Sequence, residues 1–143
     1  MMRGGLLLAI DQGTTNTKAI LVGQDGQPGF VASSPVGLSQ PKPDLVEQDP
    51  LALWQSVIKT LADCVKNVGA EKIAAVGISN QRETIVAWER ATGNPVAPAI
   101  VWQCRRSASI CAELEQNGLA QLLRERTGLG IDPLFSASKI RWL

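Results

Sequence analysis

The hydrophobic and polar positions along the chain predict a strand-rich beginning. Apolar runs at residues 6–10 and 17–23 flank a short polar stretch, and a third run at 30–33 follows a turn at 25–29. Connections as short as these join antiparallel strands, so the three runs predict a meander. Residues 35–43 are polar and contain proline, which predicts a loop.

A long helix is predicted to begin at Asp49, with this residue as N-cap and Pro50 at the first helical position. Gly69 is expected to end it. Apolar residues recur at helical spacing and predict the buried face of this helix: Leu51, Trp54, Val57, Ile58, Leu61 and Val65.

The later part of the chain alternates between strand and helix patterns. The nearly continuous apolar run at 73–79 predicts a strand in the middle of a sheet that is covered on both faces. A further strand is predicted at 84–88, and 99–102 is predicted to be short and extended. Helices are predicted over about 107–117, about 119–126 and from about 137. The fold class is therefore α/β with a mixed sheet.

The length, net charge and apolar runs of the chain favour a globular domain over a nucleic-acid-binding or membrane-bound protein. A chain of 143 residues is one domain's worth and can bury a real core. With 14 Lys and Arg against 13 Asp and Glu, the net charge of +1 gives no sign of a nucleic-acid or anionic-membrane partner. No apolar run approaches the roughly 18 residues that a membrane span needs.

The cysteine pattern and the lack of histidine limit the kinds of catalysis and metal binding that the chain can support. The three cysteines form no CxxC pair and are odd in number, which favours reduced thiols in the cytoplasm. Residues 1–5 lead directly into the first strand and lack the cleavage pattern of a signal peptide. The chain has no histidine, so Ser-His, Cys-His and histidine-metal chemistry are excluded within it. A general base must be a carboxylate or lie elsewhere.

The polar stretch between the first two strands is the first candidate site. Asp11 ends a strand, where its side chain can reach a metal ion or a phosphate. Gly13 lets the backbone turn sharply and approach a ligand. The next residues provide donors for an anion: Thr14, Thr15, Asn16 and Thr17. The alternative is an ordinary polar hairpin turn.

A second candidate site follows the apolar run at 73–79. Open α/β sheets tend to bind ligands at the carboxyl ends of central strands, which is where residues 80–83 are expected. Arg82 beside Glu83 combines donors with acceptors and suits neighbouring hydroxyl groups, although a solvated turn is the alternative. Trp102 ends a short apolar segment and could belong to the core or to a pocket wall.

Several motifs stand in one order along the chain, at residues 11–15, 46–50 with Trp54, 77–84, 99–106, 127–129 and 131–133. Together they resemble the amino-terminal half of the glycerol kinases in the FGGY carbohydrate kinase family. The resemblance covers nearly all of residues 6–143. It implies an actin-like, ribonuclease H-like fold, with this chain as part of the amino-terminal, substrate-binding domain and the carboxy-terminal domain absent.

The resemblance also implies an activity, the ATP-dependent phosphorylation of glycerol to glycerol 3-phosphate, with ATP and Mg²⁺ as cofactors. Asp11 would lie near the magnesium ion and the transferred phosphoryl group. Lys18, at a position where the family often has arginine, would help to hold the nucleotide phosphates. The same role is implied for Thr14, Thr15 and Asn16.

For the substrate, the resemblance implies that Arg82 and Glu83 bind the hydroxyls of a small polyol. Trp102 would pack on the carbon backbone of that polyol. Glycerol kinases typically carry a substrate-contacting tyrosine where this chain has Leu134, and a leucine side chain cannot form a hydrogen bond. A kinase for erythritol, xylulose or ribulose is therefore the alternative. Residues 136–139 also differ slightly from the usual Ser-Gly-Thr-Lys.

In this family the catalytic aspartate lies well beyond residue 143, so these residues alone are expected not to phosphorylate glycerol. The full-length protein is expected to be cytoplasmic and to form a homo-oligomer. Two further hypotheses stay open. One is a non-catalytic, actin-like nucleotide-binding module with a similar Asp-x-Gly-Thr loop, and the other is a structural or interaction domain with degenerate sites.

Overall fold

The computed structural model describes residues 5–143; residues 1–4, on which most of the signal-peptide expectation rests, lie outside this range. The strands are β1 (Leu6–Gln12), β2 (Asn16–Val22), β3 (Pro28–Pro35), β4 (Ser39–Lys42), β5 (Leu45–Gln48), β6 (Ile73–Asn80) and β7 (Ala99–Ile100). The helices are α1 (Pro50–Val68), α2 (Ala108–Gln116), α3 (Leu119–Thr127) and α4 (Ser136–Trp142), with a 3₁₀ turn at Ala70–Lys72.

The chain divides into two compact units. The first comprises residues 5–38 together with 49–81, and the second comprises 39–48 and 82–143. The first unit therefore contains β1–β3, α1 and β6, and the second contains β4, β5, β7 and the last three helices.

The first unit is built on a four-stranded sheet in the order β3-β2-β1-β6. β1 pairs with β2 and β2 with β3, both antiparallel, which confirms the predicted meander. β6 runs parallel to β1, so the sheet is mixed, as predicted. Parallel pairing needs a long crossover, and α1 lies within that connection.

The core of this unit lies between the meander and α1. Alternate residues of the strands point to the same face. The buried cluster comprises Leu8, Ile10, Ala19, Leu21, Ala32 and Cys64. Its strand members come from the meander and Cys64 comes from α1, so the helix covers the first three strands.

The two ends of α1 are as predicted. Asp49 is the N-cap, and its carboxylate accepts a hydrogen bond from the Leu51 N–H at 2.9 Å. Gly69 ends the helix with a φ of 86°, a backbone conformation that favours glycine.

The predicted buried face of α1 is wrong in part. Leu51 and Trp54 are 54% and 58% exposed, and Ile58 is exposed as well. The buried residues of the helix are Leu53, Ser56, Thr60 and Cys64. Small polar side chains can face the sheet here because their hydroxyls have partners, as in the 2.6 Å contact between the Ser56 and Thr17 hydroxyls.

The prediction that residues 73–79 form a central, doubly covered strand is also wrong for the described residues. β6 is an edge of the four-stranded sheet, and its Ile78 is 73% exposed. The reason is that α1 packs on β1–β3, while no helix within residues 5–143 packs on β6 to a comparable extent.

In the second unit, residues 39–48 form a hairpin where the sequence predicted mostly loop. β4 pairs antiparallel with β5, and β5 pairs antiparallel with β7. The hairpin was missed because β4 is exposed throughout and contains Pro41, so it lacks the apolar alternation that signals a strand.

The prediction of a strand at 84–88 is also wrong. This segment makes only isolated bridges, between Ile85 and Ile100 and between Trp88 and Pro95. Proline has no backbone N–H, so the facing segment around Pro95 and Pro98 cannot sustain a ladder.

The remaining helices agree with the predictions, since α2, α3 and α4 each begin within one residue of the expected position. None of the helices formed by residues 5–143 combines the length and the apolar character that crossing a bilayer requires.

Candidate functional site

The first candidate site lies at the end of the β1–β2 hairpin. Asp11 and Lys18 are directly opposed across the antiparallel pair, and both are exposed. Asp11 follows Ile10, which is buried towards α1. Because side chains alternate along a strand, the Asp11 carboxylate projects from the opposite face of the sheet.

The turn that joins these strands is tight. The Gly13 N–H donates to the Asn16 carbonyl at 3.0 Å, and the Val36 N–H donates to the Thr15 carbonyl at 2.8 Å. A Cβ on residue 13 would lie 2.9 Å from the Asn16 carbonyl oxygen, closer than real contacts allow, so glycine is needed for this approach.

The polar side chains of this turn differ in exposure. Thr15 is exposed, and Thr14 and Asn16 are half-buried. Thr17 is fully buried, and its hydroxyl contacts Ser56. The expectation that Thr17 provides a donor for an anion is therefore wrong, because this hydroxyl joins α1 to the sheet.

The second candidate site is centred on Glu83. Its backbone φ is 64°, which is uncommon for a residue with a side chain. Strain of this kind costs about 1–3 kcal/mol and tends to persist at functional positions. The carboxylate is half-buried, and its Oε2 accepts two hydrogen bonds from Ser136, one from the backbone N–H at 2.9 Å and one from the hydroxyl at 2.7 Å.

These contacts favour the ionised form of Glu83. The hydrogen bond from the Ser136 hydroxyl is the main cause that lowers the pKa of Glu83 below its ordinary value. Partial burial opposes the shift, whereas the Ser136 N–H and the positive charges of Lys139 and Arg82 add to it. Glu83 is thus a hydrogen-bond acceptor near neutral pH.

The other two predicted substrate residues are accessible in the same unit. Arg82 is exposed, and Trp102 is 38% exposed, so Trp102 is not a core residue. The backbone N–H of Trp102 donates to the Thr84 hydroxyl at 3.1 Å, and Ile85 and Ile100 exchange two backbone hydrogen bonds at 3.0 Å. These bonds hold the segment that follows Glu83 beside the segment that contains Trp102.

Sequence reasoning missed the roles of Ser136 and Lys139. Lys139 is fully buried, and its Nζ donates to the Pro133 carbonyl at 3.2 Å and to the Leu134 carbonyl. Burial lowers the pKa of Lys139, and the Glu83 carboxylate is the first of the negative groups that oppose this shift. Lys139 lies in the last turn of α4, an ordinary place for a cation, so no local sequence signal marked it.

A cavity of about 270 Å³ lies in the second unit and touches Glu83. Its lining is mainly apolar and includes Leu114, Leu123 and Ile131 but neither Arg82 nor Trp102. A polyol there would leave hydroxyl groups without partners, which is costly. The cavity is therefore a poor match to a polyol, and the Arg82–Glu83 loop is the better candidate.

The matching family model is that of the FGGY family of carbohydrate kinases, N-terminal domain, and it covers residues 6–143. The chain belongs to the FGGY family. It is 44% identical over 139 residues to a glycerol kinase from Salmonella arizonae and 43% identical over 139 residues to one from Klebsiella pneumoniae. Each match covers 96% of this chain and 28% of the relative, so the chain spans about a quarter of the length of these relatives.

Solved structures of FGGY-type kinases share the fold. The glycerol kinase of Plasmodium falciparum with ADP matches with a TM-score of 0.88 and 29% identity, over 98% of this chain and 28% of that chain. The gluconate kinase of Lactobacillus acidophilus matches with a TM-score of 0.89 and 26% identity, over 99% of this chain and 28% of that chain. The fold is thus the actin-like α/β fold of this family, as the resemblance implied.

Proposed function

We propose that this chain is the amino-terminal, substrate-binding part of an ATP-dependent kinase that converts glycerol to glycerol 3-phosphate. The observation that carries the proposal is the Glu83 carboxylate, which follows Arg82 in a loop with a positive φ and is held by two hydrogen bonds from Ser136. Relatives named glycerol kinase, 43–44% identical to the chain, support glycerol as the leading substrate.

The polyol would be bound by its hydroxyl groups. Arg82 provides donors and Glu83 provides acceptors, so neighbouring hydroxyls can each find a partner. Trp102 supplies an apolar surface for the carbon backbone. A small polyol has little apolar area, so selectivity has to come from hydrogen bonds, where one unfilled partner is costly.

The nucleotide phosphates would be bound at the β1–β2 turn by Thr14, Thr15 and Asn16, with Lys18 supplying positive charge. The solved glycerol kinase with ADP supports a nucleotide as the phosphoryl donor. Phosphoryl transfer depends on positioning and charge neutralisation more than on covalent chemistry by the protein.

Asp11 fits a magnesium ion that is held mainly by water and phosphate oxygens, which typically needs only one or two carboxylates. Within residues 5–143, no group of three or more acidic, cysteine or histidine residues is arranged to hold a metal by itself. The ion would neutralise phosphate charge during transfer. Asp11 would orient the ion, and the positive charge of the ion would offset the repulsion between this carboxylate and the phosphates.

The rest of a longer polypeptide is proposed to supply the general base and most of the adenine pocket. The share of the relatives that the chain spans, 28%, supports this division. The full-length protein is also proposed to be cytoplasmic and homo-oligomeric, in keeping with the resemblance.

Leu134 is the main reason to consider a different acceptor. Its side chain cannot form a hydrogen bond, so a contact expected in a glycerol kinase is missing. The solved neighbours include gluconate and xylulose kinases as well as a glycerol kinase. A kinase for erythritol, xylulose or ribulose is therefore the second candidate.

A substrate panel tests the proposal. The full-length protein is given Mg²⁺-ATP and, in turn, glycerol, erythritol, xylulose or ribulose, and ADP release is followed together with the ³¹P NMR spectrum of the product. We expect glycerol to give the highest kcat/KM and a phosphomonoester product.

A higher kcat/KM with another acceptor would move the assignment to that acceptor. ATP hydrolysis that no acceptor stimulates, with no phosphomonoester formed, would contradict a kinase function.

A further inference from the structure

The two oxygens of the Glu83 carboxylate have different surroundings. Oε2 accepts both hydrogen bonds from Ser136. Within residues 5–143, no hydrogen bond reaches Oε1. A carboxylate oxygen that carries two donors is fixed in position, and the geometry of the group then fixes the direction of the other oxygen.

We propose that Ser136 is a positioning residue for substrate binding: it holds Oε2 so that Oε1 of Glu83 accepts a hydroxyl of the acceptor. This inference rests on the proposed function and adds a residue to it. Ser136 acts through Glu83 and does not itself need to touch the acceptor.

The backbone around Ser136 is held in turn by Lys139. Both residues belong to α4, and the Lys139 ammonium bonds the carbonyls of Pro133 and Leu134, immediately before this helix. Ser136 therefore has a rigid support, which a positioning role requires.

The Ser136 hydroxyl also sets the charge of its partner. The groups that act on the Glu83 carboxyl are Ser136 and Lys139 from α4 and Arg82 from its own loop, and all of them lower its pKa. A carboxylate with a lowered pKa keeps its charge to lower pH, so acceptor affinity is retained as the pH falls until that pKa is reached. Without the Ser136 hydroxyl the pKa of Glu83 rises, and affinity is lost at a higher pH.

The test compares Ser136→Ala, Ser136→Thr and the control Ser138→Ala in the full-length protein. Ser138→Ala removes a buried hydroxyl from the same helix without touching Glu83. Glycerol binding is measured by calorimetry across the acidic pH range. The Glu83 carboxyl is titrated by ¹³C NMR, and its signal is identified as the one lost in Glu83→Gln.

We expect Ser136→Ala to raise the glycerol Kd about tenfold near neutral pH, the effect of one hydrogen bond to a charged group. The pKa of Glu83 should rise. The acid limb of binding, the pH range in which glycerol affinity is lost as the pH falls, should shift to higher pH with it. Ser136→Thr keeps the hydroxyl and should restore both to near the parent values. Ser138→Ala should leave the acid limb of binding in place, even if it lowers the melting temperature.

An unchanged Glu83 titration and an unchanged acid limb in Ser136→Ala would overturn the inference, and a Ser138→Ala effect of equal size would do the same. The NMR titration does not need an acceptor, so it tests the effect of Ser136 on Glu83 separately from the proposed kinase function. A parent protein that binds no polyol although its Glu83 pKa responds to Ser136 would contradict the proposed function and, with it, the role in substrate binding.

Discussion

Replacing Glu83 by glutamine in the full-length protein is expected to weaken glycerol binding by about 10- to 100-fold, because a hydrogen bond to a charged acceptor contributes about 1.5–3 kcal/mol. Glutamine keeps the size of the side chain and leaves one oxygen that can accept from Ser136. The change therefore removes the charge and puts an amide donor at the position of Oε1. The expected signature is a higher KM and Kd for glycerol, measured by steady-state kinetics and calorimetry, with the KM for ATP little altered.

The matched control for this change is Glu113→Gln. Glu113 lies on the exposed face of α2, where it forms an ion pair with Arg141 at 2.9 Å. Exposed pairs contribute about 1 kcal/mol or less, so the variant should bind glycerol as the parent does. Glycerol binding that survives Glu83→Gln unchanged would contradict the polyol site. It would favour the non-catalytic, actin-like module, which has no use for Arg82 and Glu83.

The second large effect is expected at Asp11. Asp11→Asn should reduce kcat by about 100- to 1,000-fold, the range found when one preorganised electrostatic contact to a transition state is removed. Its carboxylate is exposed at the end of β1 and is proposed to orient Mg²⁺ near the transferred phosphoryl group. Glycerol affinity should change little, because the proposed polyol residues lie elsewhere in the sequence.

Asp63→Asn is the control for Asp11, since Asp63 is exposed on α1 and its loss removes the same charge from the first unit. A parent-like kcat is expected for this variant over a range of Mg²⁺ concentrations. If Asp11→Asn also kept the parent kcat at every Mg²⁺ concentration, the proposed role at the phosphates would be wrong. Failure of both Mg²⁺-ATP and glycerol to stabilise the parent against unfolding would favour a structural domain with degenerate sites.

The parts of the fold that were predictable are those with strong local signals. The meander of β1–β3 followed from apolar runs separated by hairpin-length turns, because the connection alone decides the antiparallel pairing. The ends of α1 followed from Asp49, Pro50 and Gly69, whose capping preferences act within one turn of helix.

The predictions failed where burial is determined by contacts between residues that are far apart in sequence. On α1, Trp54 is more apolar than Thr60, yet Thr60 is the buried residue because its hydroxyl bonds the carbonyls of Ser56 and Val57. The apolar run in β6 reads as a central strand, but which element covers a strand is a property of the whole fold. The hydrophobicity of a segment indicates neither the hydrogen-bond partners of its hydroxyl groups nor the element that covers it in the fold.

The candidate site likewise has features that the sequence predicts and features that only the folded structure shows. Asp11 and the Arg82–Glu83 pair could be found from residue type and position in a motif, and their roles stay predictions until they are measured. The contact between Glu83 and Ser136 could not be found in this way, because 53 residues separate the two in sequence. The positive φ of Glu83 is likewise visible only in the folded backbone.

The most direct test of the central claim is a crystal structure of the full-length protein with glycerol. We expect one glycerol hydroxyl oxygen within about 2.6–3.2 Å of Glu83 Oε1, while Oε2 keeps both hydrogen bonds from Ser136. Glycerol bound away from Glu83, with this carboxylate contacting only protein or water, would contradict the account.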